Sequence, residues 1–202
     1  MWAGVIGPAG FISAWVVAGA RSKGYSPSED AISLLAAADA STRWLMTAGF
    51  VCFGIAVPVF ALVVRRALPG WAWLAVAVSG FATLAVAAFP LHVSSTVSAL
   101  HGVFASIGYI ALALTPVLAA PVLQRRGHRG AAAASRAVAV LSGVCLVATS
   151  FANANGLFQR AGLTVVDVWL MAAAVAIATT NLRRETPHTV VGQRKNDGRS
   201  GR

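Results

Sequence analysis

The chain has 202 residues, of which 57% are hydrophobic and 11% charged, with 16 Lys and Arg against 6 Asp and Glu. Its mean hydropathy of +0.73 lies well above the balanced usage of soluble domains, which excludes a soluble globular fold. A formal net charge of +10, carried by a few charges clustered around long uncharged runs, is the pattern of a multi-pass inner-membrane protein.

A helix needs about 20 apolar residues to cross a hydrocarbon core ~30 Å thick. Six runs reach that size: Trp2 to Ala20, Trp44 to Val64, Trp71 to Pro90, Ser98 to Leu123, Ala137 to Asn155 and Leu163 to Leu182. They predict an all-α integral membrane protein, with a six-transmembrane-helix bundle over residues 1–182. Residues 183–202 are polar, basic and without apolar periodicity, and read as a disordered tail. The first run ends in Ala18-Gly19-Ala20, which resembles a signal-peptidase site, but no Lys or Arg precedes it, so retention of this helix is expected.

The link from Arg21 to Arg43 places Pro27-Ser28-Glu29-Asp30 ahead of Ile32-Ser33-Leu34-Leu35. This is a helix-start signal with Ser26 or Ser28 as N-cap. It predicts a short outer amphipathic helix near residues 28–37, acting as a lid or an interfacial anchor. In the fourth run Ser94, Ser98, His101, Ala105 and Gly108 share one face, with Ser98, Gly102 and Ser106 as a small-residue series beside it. This surface is expected to pack inward. Ser142, Thr149 and Asn153 form a polar stripe in the fifth run, near Cys145. Cys145 and Cys52 have neither CxxC nor zinc spacing and are expected to pack as small hydrophobes.

The link Asn155 to Gly162 reads as a turn, which puts Asp167 about one turn inside the last span. An intramembrane carboxylate is costly and normally faces the bundle interior with a partner. Arg160, Arg43 and His101 are the candidates, and Arg160 or Arg43 is expected within about 4–6 Å of the carboxylate. With the links assigned alternately to two sides, twelve of the 16 Lys and Arg fall on the side of both termini; Arg21, Lys23, Arg43 and Arg160 fall on the other. Both termini are therefore expected in the cytoplasm. The tail would lie on an anionic leaflet, so membrane lipids, not nucleic acid, are the expected partner, with a membrane-protein partner as a further possibility.

No Lys lies inside a span, which removes a Schiff-base chromophore, and no phosphate-binding glycine motif is present. The reading that remains is an outward-facing polar pocket for a lipid or small amphiphile, or a membrane assembly partner. The candidate pocket residues are Glu29, Asp30, Ser33, His92, His101, Asn153, Gln159, Arg160 and Asp167, with no cofactor and no metal expected. One alternative is a metal-dependent membrane hydrolase using His92, His101 and Asp167, although the histidines lack the i, i+4 spacing of such sites. Another is a small-solute transporter, for which neither an internal repeat nor a charged midplane break is evident.

Several short motifs also stand in a recognisable order: Tyr25-Ser26-Pro27 with Asp30 and Ile32-Ser33-Leu34, Trp44, Leu100-His101-Gly102, and Gly156-Leu157-Phe158-Gln159-Arg160 followed by Trp169. In this the chain resembles the domain-of-unknown-function 998 family of bacterial six-helix membrane proteins, distantly similar to the Frag1/DRAM/Sfk1 group. The resemblance spans about residues 1–182. It implies a six-helix fold in a bacterial cytoplasmic membrane and no established reaction. The chain departs from the family pattern at Phe89-Pro90-Leu91-His92, where an acidic residue often follows the Phe-Pro.

Overall fold

The computed structural model of the chain describes residues 1–151 and 153–185, with side chains as far as Thr180. The tail expected to be disordered lies, from residue 186 on, outside the described residues. Six helices follow one another: α1 (Ala3–Arg21), α2 (Arg43–Ala67), α3 (Ala72–Ala88), α4 (Ser95–Arg125), α5 (Arg129–Ala148) and α6 (Asn155–Glu185). A 3-10 turn, Ile32–Ala36, stands between α1 and α2, and no strand occurs among the described residues. All helices but α3 are long and apolar enough to cross a membrane. The 17 residues of α3 span ~26 Å at 1.5 Å per residue.

The outer surface explains why this is a membrane protein. Ile6, Ile55, Leu62, Phe81, Ile110 and Val144 are all more than half exposed, an apolar girdle that water would not tolerate and lipid solvates. Trp2, Trp44 and Trp71 stand exposed at the first turns of α1, α2 and α3, where amphipathic rings belong at the membrane boundary.

Each helix packs on the next, α6 returns to α1, and α4 also reaches α6. The bundle is thus a closed ring around a core that includes Phe11, Phe50, Phe53, Val57, Leu112, Val166 and Leu170. Small residues let the backbones approach. At Gly80 of α3 an added Cβ would stand 2.5 Å from Cγ of Pro58, and at Gly54 of α2 it would stand 2.5 Å from Cγ of Leu84.

Three helix boundaries differ from expectation, one of them the end of α5, at Ala148 and not Asn155. Helix α5 begins at Arg129, not Ala137, because Ala131 to Ala134 favour helix and the flanking arginines reach water along their stems. Helix α6 begins at Asn155, so Gly156 to Gly162 are helical and not a turn. The short helix expected over residues 28–37 is present as the five-residue 3-10 helix Ile32–Ala36, whose Ile32, Ser33, Leu35 and Ala36 are buried. Ser26 and Ser28 do not cap it. The Ser26 amide instead donates to Oδ2 of Asp30 at 2.8 Å, and the two serine Oγ atoms lie 3.1 Å apart.

Candidate functional site

The first, third and fifth links gather at one end of the ring, where the segment between α1 and α2 folds over the helices as a latch. Its fastening is Arg160, in the second turn of α6. One guanidinium nitrogen donates to the carbonyls of Pro27, Asp30 and Gly156 at 2.6, 2.9 and 2.9 Å. The other terminal nitrogen donates to the Tyr25 hydroxyl. The same cation lies over the rings of Trp15 and Tyr25, at 5.3 and 5.4 Å from their centroids. Tyr25 itself points at the carbonyls of Asp30 and Ala31, at 3.2 and 3.1 Å. Burial pushes its hydroxyl above the usual tyrosine range, opposed by the neighbouring Arg160.

Gly156 is required directly beneath. A Cβ there would collide with the Asp30 carbonyl and stand 2.9 Å from that of Pro27. The amide of Leu157 donates to the Ser28 carbonyl at 2.9 Å, which ties the latch to the start of α6 a second time. On the far side Thr42 donates to the Leu35 carbonyl at 2.9 Å, and the Ala38 amide to that of Leu91, also at 2.9 Å. Beside that bond Asp39 and Nδ1 of His92 form an exposed hydrogen-bonded pair at 2.8 Å, and the His92 partner holds the Asp39 carboxyl below its usual range.

Gln159 connects the latch to the interior. Its Oε1 accepts the Ile32 amide at 2.8 Å, and its Nε2 donates to the Tyr109 hydroxyl on α4. Tyr109 lines a cavity in the middle of the ring together with Ile32 and Ser33 above, Ser79 and Thr83 of α3, and Asp167 of α6. Phe11, Phe50, Phe53 and Phe104 supply much of its apolar wall. The cavity offers about 40 Å³ to the centre of a water molecule, where one buried water needs about 10–15 Å³.

Asp167 is fully buried, and neither carboxylate oxygen has a hydrogen-bond partner or an ion pair among the described residues. This corrects the expectation that Arg160 or Arg43 lies beside it. Because α6 starts at Asn155, Asp167 stands twelve residues in, ~18 Å down the axis. The Arg160 guanidinium is meanwhile spent on latch carbonyls, and that of Arg43 lies over Trp44 at 4.9 Å.

Of the expected pocket residues, Asp30, Ser33, Gln159 and Arg160 are brought together in the latch, and Ser33 also shares the cavity with Asp167. The others are not gathered there. Glu29 and Asn153 are exposed, because Asn153 follows the end of α5 in a turn and does not continue its stripe. His92 is exposed, with a positive φ of 65°, and faces Asp39. His101 is buried, but its Nδ1 is bonded to the Phe89 carbonyl at 2.7 Å. Consequently no group of three His, Cys, Asp or Glu is arranged to hold a metal ion among the described residues. The inward face of α4 is occupied as expected through Ala105 and Gly108, whereas Gly102 and Ser106 of the small series face outward. Sequence reasoning misses Tyr109, Ser79 and Thr83. Their signal is the i, i+4 pairing of Ser79 with Thr83 and the continuation of the Ala105, Gly108 face into Tyr109.

A family model described as "Protein of unknown function (DUF998)" matches residues 5–176. The chain belongs to the DUF998 family. No curated protein and no solved structure matches it. The matched stretch of this DUF998 protein contains the whole latch and the whole cavity. The motif residues Tyr25, Asp30, Ile32, Gln159 and Arg160, far apart in the chain, are the ones that touch one another in the latch.

Proposed function

We propose that this DUF998 protein is a membrane-embedded binding protein that takes the head of a small amphiphile into the cavity beneath the latch. The observation that carries this reading is the buried Asp167 carboxylate, without a hydrogen-bond partner among the described residues, at the wall of a cavity larger than one water. A lone polar group in such a place is costly unless something satisfies it, and intramembrane carboxylates mark ligand or ion sites more than structural ones. Hydroxyls at the cavity wall and an apolar lining give the mixed character of a small-molecule site. Ile32 and Ser33 of the latch line the cavity, which makes the latch the proposed gate.

The proposed orientation puts the latch outside and both termini in the cytoplasm of a bacterial membrane. It is supported by Arg65, Arg66, Arg125, Arg126 and Arg129, which cluster at the other end of the ring. Lipids of the surrounding bilayer are the proposed source of the amphiphile.

The test is native mass spectrometry of the full chain released from detergent. A small molecule should remain bound in about one-to-one ratio. Ala105→Phe, which places a ring in the cavity from α4, should abolish its retention. Equal retention by Ala105→Phe would place the ligand elsewhere and overturn the reading.

A further inference from the structure

The polar atoms around the cavity are unequal in what they can offer a guest. The Ser79 hydroxyl already donates to the Val76 carbonyl at 2.9 Å, and the Thr83 hydroxyl to the Ser79 carbonyl at 2.9 Å. Their hydrogens are committed to the α3 backbone, so each presents lone pairs only. Asp167 adds two oxygens without a hydrogen-bond partner among the described residues. Among the described residues the lining contains no Lys, Arg or His. Against these acceptors stand the Tyr109 hydroxyl, whose oxygen receives Gln159, and Ser33. The site is therefore rich in acceptors and lacks a cation.

The apolar wall has the same preference. Phe11 packs against Phe50 and Phe53 with centroids 5.9 and 5.6 Å apart, and all three rings border the cavity with Phe104. Aromatic rings attract a cation through their negative faces, most strongly where water is excluded. A carboxylate, hydroxyl lone pairs and ring faces around a small space suit a donor of positive charge. The wall carries a single acidic side chain, and no group of three His, Cys, Asp or Glu that could hold a metal ion occurs among the described residues.

We infer that the group bound beside Asp167 is the ammonium of a small organic amine, recognised by the carboxylate, the Ser79 and Thr83 oxygens and the phenylalanine faces. This rests on the proposed binding function and names its ligand class. The charged head completes the ion pair that the protein leaves open, and a short apolar tail lies along the Phe wall.

The experiment compares butylammonium with butanol, which has the same length without the charge. Thermal unfolding of the full chain in lipid nanodiscs is followed at neutral pH at equal probe concentrations. Preferential binding to the native state raises the unfolding temperature, and the expected apparent affinity is about tenfold or more in favour of the amine. Asp167→Asn replaces the buried carboxyl with an amide of the same shape and is expected to fold; it should abolish the preference for the amine. Phe11→Leu should weaken the amine severalfold. Equal binding of amine and alcohol, or an amine preference that survives in Asp167→Asn, would overturn the ammonium assignment and leave the cavity reading standing. Stabilisation by sodium or potassium chloride equal to that by the amine would also overturn it. If neither probe binds and Ala105→Phe behaves as wild type in the retention test, the binding reading itself fails.

Discussion

Two glycines make opposite predictions from the same chemistry. Gly156 lies against the latch backbone, so Gly156→Ala must push the carbonyls of Pro27 and Asp30 away. It should destabilise the protein by about 2 kcal/mol, the usual cost of overpacking. Gly102, helical and exposed, has nothing within 4 Å of an added Cβ, so Gly102→Ala should be neutral or stabilise by up to about 1 kcal/mol. Unfolding midpoints of the two variants in the same detergent check the pair. At the surface, Asp39 should titrate below 3.8, and His92→Ala should return it toward that value, as carboxyl NMR would record. Because the folded-state value is depressed, the link-to-link contact made by this pair is present above pH ~4 and is lost as the pH falls through the folded value. Asp167 is legible in the sequence as a buried carboxylate, since a lone acid in an apolar run is costly and normally faces the bundle interior. Its lack of a partner is not legible, because Asn155 to Gly162 carries the residues of a turn, and a turn there sets Arg160 at the wrong depth.

At the scale of elements, the latch is a segment with little regular structure held by two side chains of α6. Arg160→Ala would remove the charged donor from the carbonyls of Pro27 and Asp30, the latter keeping only the Tyr25 hydroxyl, at about 1.5–3 kcal/mol per hydrogen bond made by a charged group. The expected loss is about 3 kcal/mol, localised to the latch. Trypsin should then cut at Lys23 several times faster than in the native protein while the membrane helices stay protected. Unchanged cutting would mean that the other ties suffice. The helices are readable from the 20-residue apolar runs, since the bilayer imposes that length. The latch is only half readable. Its residues carry turn and cap signals, yet its shape is decided by Arg160 and Gln159, more than 120 residues away, which no local pattern announces. The early starts of α5 and α6 share one feature, an arginine that ends an apolar run without ending the helix: Arg136 reaches water along its stem, whereas Arg160 is satisfied by the latch carbonyls.

For the whole molecule, the ring and its charged end make the proposed orientation testable. Reporter fusions after Arg66 and Arg126 should report cytoplasm, and fusions near Asp39 and Thr96 the exterior. A reversed pattern would place the latch inside and turn the cavity toward the cytoplasm. Closure of the ring also has a timing. The Arg160 donor and the Pro27 carbonyl are 133 residues apart, so at ~5–20 residues per second synthesis separates them by roughly 7 to 27 s. Throughout that interval α1 has no neighbour on one flank, and the segment from Tyr25 to Ile32 has nothing to fasten it. A nascent chain arrested before α6 exposes an open seam and a loose loop together, and both disappear when the last helix arrives. The fastening of that loop thus records that α6 has reached its place beside α1.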